Sequence, residues 1–159
     1  MTHRIRPCLW FDNNLEDALE FYQGIFPEFE VTERSLMPPT TMDESGTMVI
    51  ASFKLNGREF TAFNGGPHFK FSEAISFEIE VETQEEVDYY WNRLSEGGEV
   101  MQCGWLKDPF GVAWQVVPKV LFELATDSDR ERASRAMNAM LEMEKIDIAV
   151  MVAAADNGS

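Results

Sequence analysis

The sequence predicts an α+β protein made of two consecutive βαβββ modules followed by C-terminal helices. Three observations carry this. Apolar residues switch between period 2 and period 3.6 in the same order twice along the chain. The first helix start and the second are related by a constant offset of 69 residues, which aligns Asn14, Glu16, Asp17, Ala18, Tyr22 and Ile25 with Thr83, Glu85, Glu86, Val87, Trp91 and Leu94. Two turn signals, Asn56-Gly57 and Asp108-Pro109-Phe110-Gly111, fall at equivalent places in the two halves. The expected division is 1–66 for the first module, 67–120 for the second and 121–159 for a helical extension, all in one structural unit.

In the first half, Arg4 to Phe11 alternates in polarity and is broken early by Pro7, as suits a strand at a sheet edge. Asp12-Asn13-Asn14 stops it and supplies helix-capping residues, acidic side chains follow in the first turn, and Leu15, Ala18, Leu19, Tyr22, Ile25 and Phe26 form one apolar face ending before Pro27. Phe29 to Arg34 reads as a strand, and Met37 to Gly46, with Pro38-Pro39 and Asp43-Glu44-Ser45-Gly46, as a long surface loop. Met48 to Leu55 and Arg58 to Asn64 are strands joined by Asn56-Gly57, the pair best suited to a type I′ turn because both positions tolerate positive φ.

Gly65 to Ser72 reads as a linker, after which the order restarts. Ala74 to Val81 is an expected strand. Thr83 caps a helix whose apolar face is Val87, Tyr90, Trp91 and Leu94 and which closes at Gly97-Gly98. Glu99 to Leu106 supplies strand material, and the turn at Asp108 to Gly111 leads into the strand Val112 to Val117. From Phe122 the repeat stops. Ser128-Asp129-Arg130-Glu131 has the form of a capping box and opens a helix with Ala133, Ala136, Met137, Met140 and Leu141 on one face; Ile146 to Ala155 is a second helix capped by Asp147. These helices either pack within the chain or meet a second subunit, and methionines suit both.

Composition removes several classes of function. The 159 residues carry 28 Asp+Glu against 13 Lys+Arg, a net charge of −15, which would be repelled by nucleic-acid phosphates and by anionic membranes. No nucleic-acid or membrane partner is expected, and no apolar run approaches a membrane span. The first residues lack the apolar stretch of a secretory signal, so a cytoplasmic location is the expectation. Two cysteines make no disulfide scaffold, and two histidines leave few ligands for zinc.

Two βαβββ modules resemble the vicinal oxygen chelate superfamily, the glyoxalase and bleomycin-resistance fold, in which each module curls a four-stranded sheet around a cavity. The local strings Leu9-Trp10-Phe11, Ala18 to Tyr22, Ala74 to Phe77, Thr83 to Val87, Cys103 to Asp108, Phe110 to Pro118 and Met140 to Ala149 are similar to its PhnB-like branch, over nearly the whole chain. That branch carries the label 3-demethylubiquinone-9 3-methyltransferase. No glycine-rich strand-to-helix turn of the kind that binds an adenosyl cofactor supports the label, since no helical pattern follows Gly65-Gly66-Pro67.

Metal-using members hold a divalent ion with His, Gln and Glu from the first and last strands of the modules. The resemblance puts Arg6, Thr61, Ala74 and Gln115 at those positions, a set with one amide, one hydroxyl and a repelling cation. No metal and no cofactor is therefore expected. Alternation places Arg6, Cys8 and Trp10, Thr61 and Phe63, Ser76 and Glu78, and Ala113, Gln115 and Val117 on inward faces. These residues either line an aromatic ligand pocket or simply fill a core.

No catalytic residue is assigned; Glu78 is the one candidate acid or base, on the argument that a carboxylate among aromatics has a raised pKa, and Arg6 could neutralise it instead. Cys103 and Lys107 would stand about 12 to 14 Å apart on an extended strand, so both Cys103 and Cys8 are expected to be inert and half-buried. The expected function is a metal-free, homodimeric small-molecule-binding protein whose ligand is cationic or aromatic. The alternative is a superfamily enzyme (isomerase, lyase or transferase), with a metal at a non-standard site or none.

Overall fold

The computed structural model describes residues 3–39 and 48–157, so most of the expected loop at Met37 to Gly46 lies outside the described residues. The chain divides into two units, residues 1–71 and 72–159, each built around its own four-stranded sheet.

The first unit contains β1 (Cys8–Phe11), α1 (Leu15–Gln23), β2 (Phe29–Leu36), β3 (Val49–Leu55) and β4 (Arg58–Asn64). The strand order is β1-β4-β3-β2, with β1 parallel to β4 and the other pairs antiparallel. Asn56 and Gly57 turn β3 into β4 at φ values of 44° and 80°, the region that favours these two residue types. The first strand starts later than its alternation implies. Pro7 has no N–H to give to the ladder, and its carbonyl accepts from Thr61 N at 2.9 Å, so pairing begins there. Every second residue of β3, from Val49 to Leu55, is buried. With Leu9, Phe11, Phe60 and Ala62 these residues make the face that packs with the buried stripe of α1, Leu15, Ala18, Leu19 and Tyr22. Asn14 precedes α1 but makes no side-chain cap; Asn64 at the end of β4 accepts from Leu15 N at 2.9 Å in its place. The helix start is thus satisfied by the strand it packs on.

The second unit contains β5 (Phe77–Val81), α2 (Gln84–Leu94), β6 (Glu99–Val100), β7 (Trp105–Lys107), β8 (Ala113–Pro118), α3 (Lys119–Ala125), α4 (Arg130–Leu141) and α5 (Ile148–Asp156). Its sheet runs β5-β8-β7-β6, again with the first strand parallel to the last. Thr83 and Glu86 form a reciprocal capping box at α2, and Val87, Trp91 and Leu94 are its buried face. The α1 and α2 starts, Leu15 and Gln84, are separated by the repeat offset of 69.

The second unit departs from the sequence reading in four places. The strand placed at Ala74 begins at Phe77, and Ala74 sits exposed in a turn. The strand material from Glu99 to Leu106 is two short strands, because Cys103 and Gly104 both take positive φ, 62° and 79°. This turn points two successive N–H groups at the C-terminal segment: Cys103 N donates to Met143 O and Gly104 N to Glu144 O, both at 2.7 Å. Helix α3 was not expected; it follows Pro118, whose φ of −70° leads into a helix while its missing N–H costs nothing there. The cap of α4 is Asp129, which accepts from Glu131 N and Arg132 N, and not Ser128.

Asp147 caps α5 by accepting from Val150 N. Leu124, Ala136, Ile146, Met151 and Ala155 form a small apolar cluster with Met137, Met140 and Met143 packed against it, so these helices pack within the chain. Gln84 ties this cluster to α2, accepting from Ile148 N at 2.9 Å and donating to Ile146 O at 3.1 Å. At the β7–β8 turn, Asp108 is the one charged residue among the buried side chains described. Its Oδ1 accepts from Phe110 N at 2.9 Å and Val112 N at 3.0 Å, and its Oδ2 accepts from Trp114 Nε1 at 2.9 Å.

Candidate functional site

Each sheet has one face packed by its helix and a second face that carries the polar and aromatic residues. In the first unit the register lines up Trp10, Phe63, Ile50 and Ser35 in one row across the second face, and Cys8, Thr61, Ser52 and Glu33 in the next. Cys8, Trp10, Thr61 and Phe63 are therefore brought together. Trp10 is half-buried; its ring meets Phe63 and Phe69 edge-on, both at 4.9 Å between centroids, and its Nε1 donates to Gly66 O at 2.8 Å. Gly65 has to be glycine here, because a Cβ would overlap the indole ring. The glycine pair thus seats a tryptophan and leads into a turn, with no helix after it.

Thr61 Oγ1 donates to Pro7 O at 3.4 Å. Cys8 is exposed and not half-buried, because it stands on an edge strand, on the face away from α1. Arg6 precedes β1, is exposed, and lines a cleft of about 210 Å³ on this face together with Arg4, Ser52, Lys54, Glu33 and Glu59. Lys54 Nζ donates to Glu30 at 2.9 Å, and that bond with the Glu30 charge holds the ammonium above its ordinary pKa.

In the second unit the register sets Glu78 beside Gln115 and Gln115 beside Trp105. Gln115 Nε2 donates to Ser76 Oγ at 2.7 Å, so these two predicted residues meet directly. Glu78 is exposed; water reaches its carboxylate, and the burial among aromatics on which its candidacy as an acid or base rested is missing. Lys107 pairs with Glu73 and Glu99. Its bond to Glu73 holds the lysine above its ordinary pKa and the glutamate below. A lysine so held supplies no base for Cys103, whose left-handed backbone serves the turn described above. Sequence reasoning missed Ser52, Lys54 and Glu59 as lining residues; their alternation with the buried residues of β3 and β4 was the available signal.

The four residues that the resemblance puts at metal positions, Arg6, Thr61, Ala74 and Gln115, include no carboxylate and no imidazole. Arg6 is a cation, Thr61 gives its hydroxyl proton to Pro7 O, Ala74 has no ligating side-chain atom, and Gln115, whose Nε2 donates to Ser76 Oγ, offers at most one neutral amide oxygen. Both His3 and His68 are exposed and outside the strands. Among the described residues no group of three or more His, Cys, Asp or Glu side chains could hold a metal ion, and no helix among them is long and apolar enough to cross a membrane.

Comparison with curated protein sequences gives no match. Among solved structures, the PhnB protein from Bacillus cereus is 28% identical and superposes with a TM-score of 0.63, over 73% of this chain and 99% of that one. The protein PA1353 from Pseudomonas aeruginosa is 22% identical, with a TM-score of 0.57 over 74% and 98% of the two chains. The fosfomycin resistance protein FosX from Listeria monocytogenes is 17% identical, with a TM-score of 0.58 over 80% and 99%. The last two likenesses speak for the fold. Residues 3–117 match the model of the family described as 3-demethylubiquinone-9 3-methyltransferase, and with two βαβββ units and a PhnB structural relative the chain belongs to this PhnB-like family of the glyoxalase and bleomycin-resistance superfamily.

Proposed function

We propose that the protein binds a small organic molecule on the sheet faces that carry its polar and aromatic residues, without a metal ion, as a homodimer in the cytoplasm. The observation that carries this reading is the donor set: the resemblance puts Arg6, Thr61, Ala74 and Gln115 at the positions of metal ligands, and none of the four is a carboxylate or an imidazole. FosX has been crystallised with Mn(II), an ion to which these four residues offer no anionic or imidazole ligand. Supporting it, Trp10, Phe63 and Phe69 offer aromatic edges beside the hydroxyls of Thr61 and Ser52. Such a mix of apolar wall and sparse polar groups suits ligand binding. The acid excess of the whole chain does not extend to the cleft, where Arg4, Arg6 and Lys54 stand against Glu33 and Glu59, so a cationic ligand finds no acidic excess there.

The test is metal analysis of the purified protein, followed by thermal unfolding with Mn(II), Zn(II) or Ni(II) and with a panel of neutral, cationic and anionic aromatic compounds. A ligand that prefers the native state raises the melting temperature by mass action. Stabilisation by an organic compound with no stoichiometric metal is expected, and light scattering should give twice the chain mass. A stoichiometric, stabilising metal ion would overturn the metal-free reading; turnover of a bound compound would convert the binding protein into an enzyme.

A further inference from the structure

The cleft on the first unit's sheet contains a cation that makes no ion pair among the described residues. Of the three cations lining it, Arg4 lies 3.7 Å from Glu59 and Lys54 lies 2.9 Å from Glu30. Arg6 has neither an ion pair nor a hydrogen bond among the described residues. Its backbone is nevertheless tethered, because the next residue, Pro7, is stiff at φ and its carbonyl accepts from both the N–H and the hydroxyl of Thr61. Glu33, the remaining acid of the lining, sits on β2 at the other end of the strand order and forms no ion pair with Arg6.

We infer that this cleft is an oxyanion subsite, in which the Arg6 guanidinium takes a carboxylate or phosphoryl group of a small ligand. A guanidinium presents two parallel N–H donors that match either group, which a lysine cannot reproduce. Ser52, also in the lining, whose backbone carbonyl accepts from Thr32 Oγ1 while its own hydroxyl has no hydrogen-bond partner among the described residues, adds a hydroxyl donor. At about 210 Å³ the cleft is smaller than the roughly 300 to 1,000 Å³ of sites for drug-sized molecules, so it fits a small ligand or the charged end of a larger one. The inference rests on the small-molecule reading and narrows it to anions.

The experiment is an amide NMR titration of the full chain with inorganic phosphate and, separately, acetate, each at constant ionic strength against chloride. Wild type is compared with Arg6→Gln, Arg6→Lys and, as a surface control, Arg130→Gln. Shifts confined to residues 4–8, 52–54 and 59–61 are expected. Arg6→Gln should weaken binding at least about tenfold, as loss of a charge-assisted pair does. Arg6→Lys should fall between, and Arg130→Gln should match wild type. Binding of phosphate alone marks a phosphoryl ligand, of acetate alone a carboxylate, and either supports the inference. Equal binding by wild type and Arg6→Gln, shifts spread over the surface, or no binding of either anion overturns it. If a neutral aromatic compound still stabilises the protein, only the anion subsite falls; if no compound does, the small-molecule reading falls with it.

Discussion

Replacing Asp108 by alanine should destabilise the second unit by about 3 to 4 kcal/mol. The carboxylate is 2% exposed and accepts three N–H donors. The Phe110 N–H is only partly buried and can be hydrated once the acceptor is gone, so it adds little. The donors of Val112 and Trp114 are in buried bonds, and stranding each costs about 1.5 to 3 kcal/mol. Their sum is about 3 to 6 kcal/mol, and relief from holding a charge away from water pulls the total toward the lower end. This is a large share of the roughly 5 to 15 kcal/mol available to an ordinary domain. Urea unfolding followed by tryptophan fluorescence would read it as a lower midpoint with an unchanged slope. Asp108→Asn, which keeps one acceptor but turns an NH₂ group toward a donor, should also lose stability, by somewhat less. A loss below about 1 kcal/mol for the alanine variant would refute the claim that these bonds hold the β7–β8 turn.

Three further outcomes are expected. Gly65→Ala should displace Trp10 from its seat, costing about 1 to 3 kcal/mol as overpacking does and shifting its fluorescence to the red; an unchanged spectrum would show that the indole lies elsewhere in solution. Gln84→Ala should cost about 1 to 3 kcal/mol and raise amide exchange at Ile148, whose N–H loses its acceptor, while Leu15 exchange stays as it is. Asp127 is held below the usual carboxylate range by the Asp129 N–H and by Arg132. Its contribution is thus present above its unfolded value of about 3.9 and is lost as pH falls through the lower folded value. Asp127→Asn should therefore flatten the stability curve at acid pH and leave its shape above pH 5 unchanged, as measured by thermal unfolding across pH.

What the sequence made legible were elements whose cause is local. The Asn56-Gly57 turn, the Thr83 and Glu86 capping box and the Asp147 cap each depend on residues a few positions apart, and each forms. The offset of 69 survived in the starts of α1 at Leu15 and α2 at Gln84, although Thr83 caps its helix and Asn14 does not. Elements that depend on distant partners were hidden. Asn14 looked like the cap of α1, but the acceptor comes from Asn64, 49 residues from Leu15 along the chain. The Cys103-Gly104 turn is fixed by carbonyls of Met143 and Glu144, so an apparently continuous strand is broken. Helix α3 was masked by Pro118, which also ends a strand, although Val120, Leu121 and Leu124 already had helical spacing. For the site, alternation sufficed to group Cys8 with Thr61 and Trp10 with Phe63. It gave no means of telling that Glu78 would be exposed or that Arg4 and Lys54 would be paired while Arg6 was not.

The bonds from Cys103 and Gly104 to residues 143 and 144 also bear on the order in which the chain can fold as it is made. A first sheet contained in residues 1–71 has all its strands available once that stretch has left the ribosome. The second sheet waits longer: its central turn takes its acceptors from residues about 40 positions further on, and Gln84 at the start of α2 takes its partners from Ile146 and Ile148. Chains emerge N-terminus first and domains generally fold as units, so the first unit can close before the second, which waits for residues 143–148.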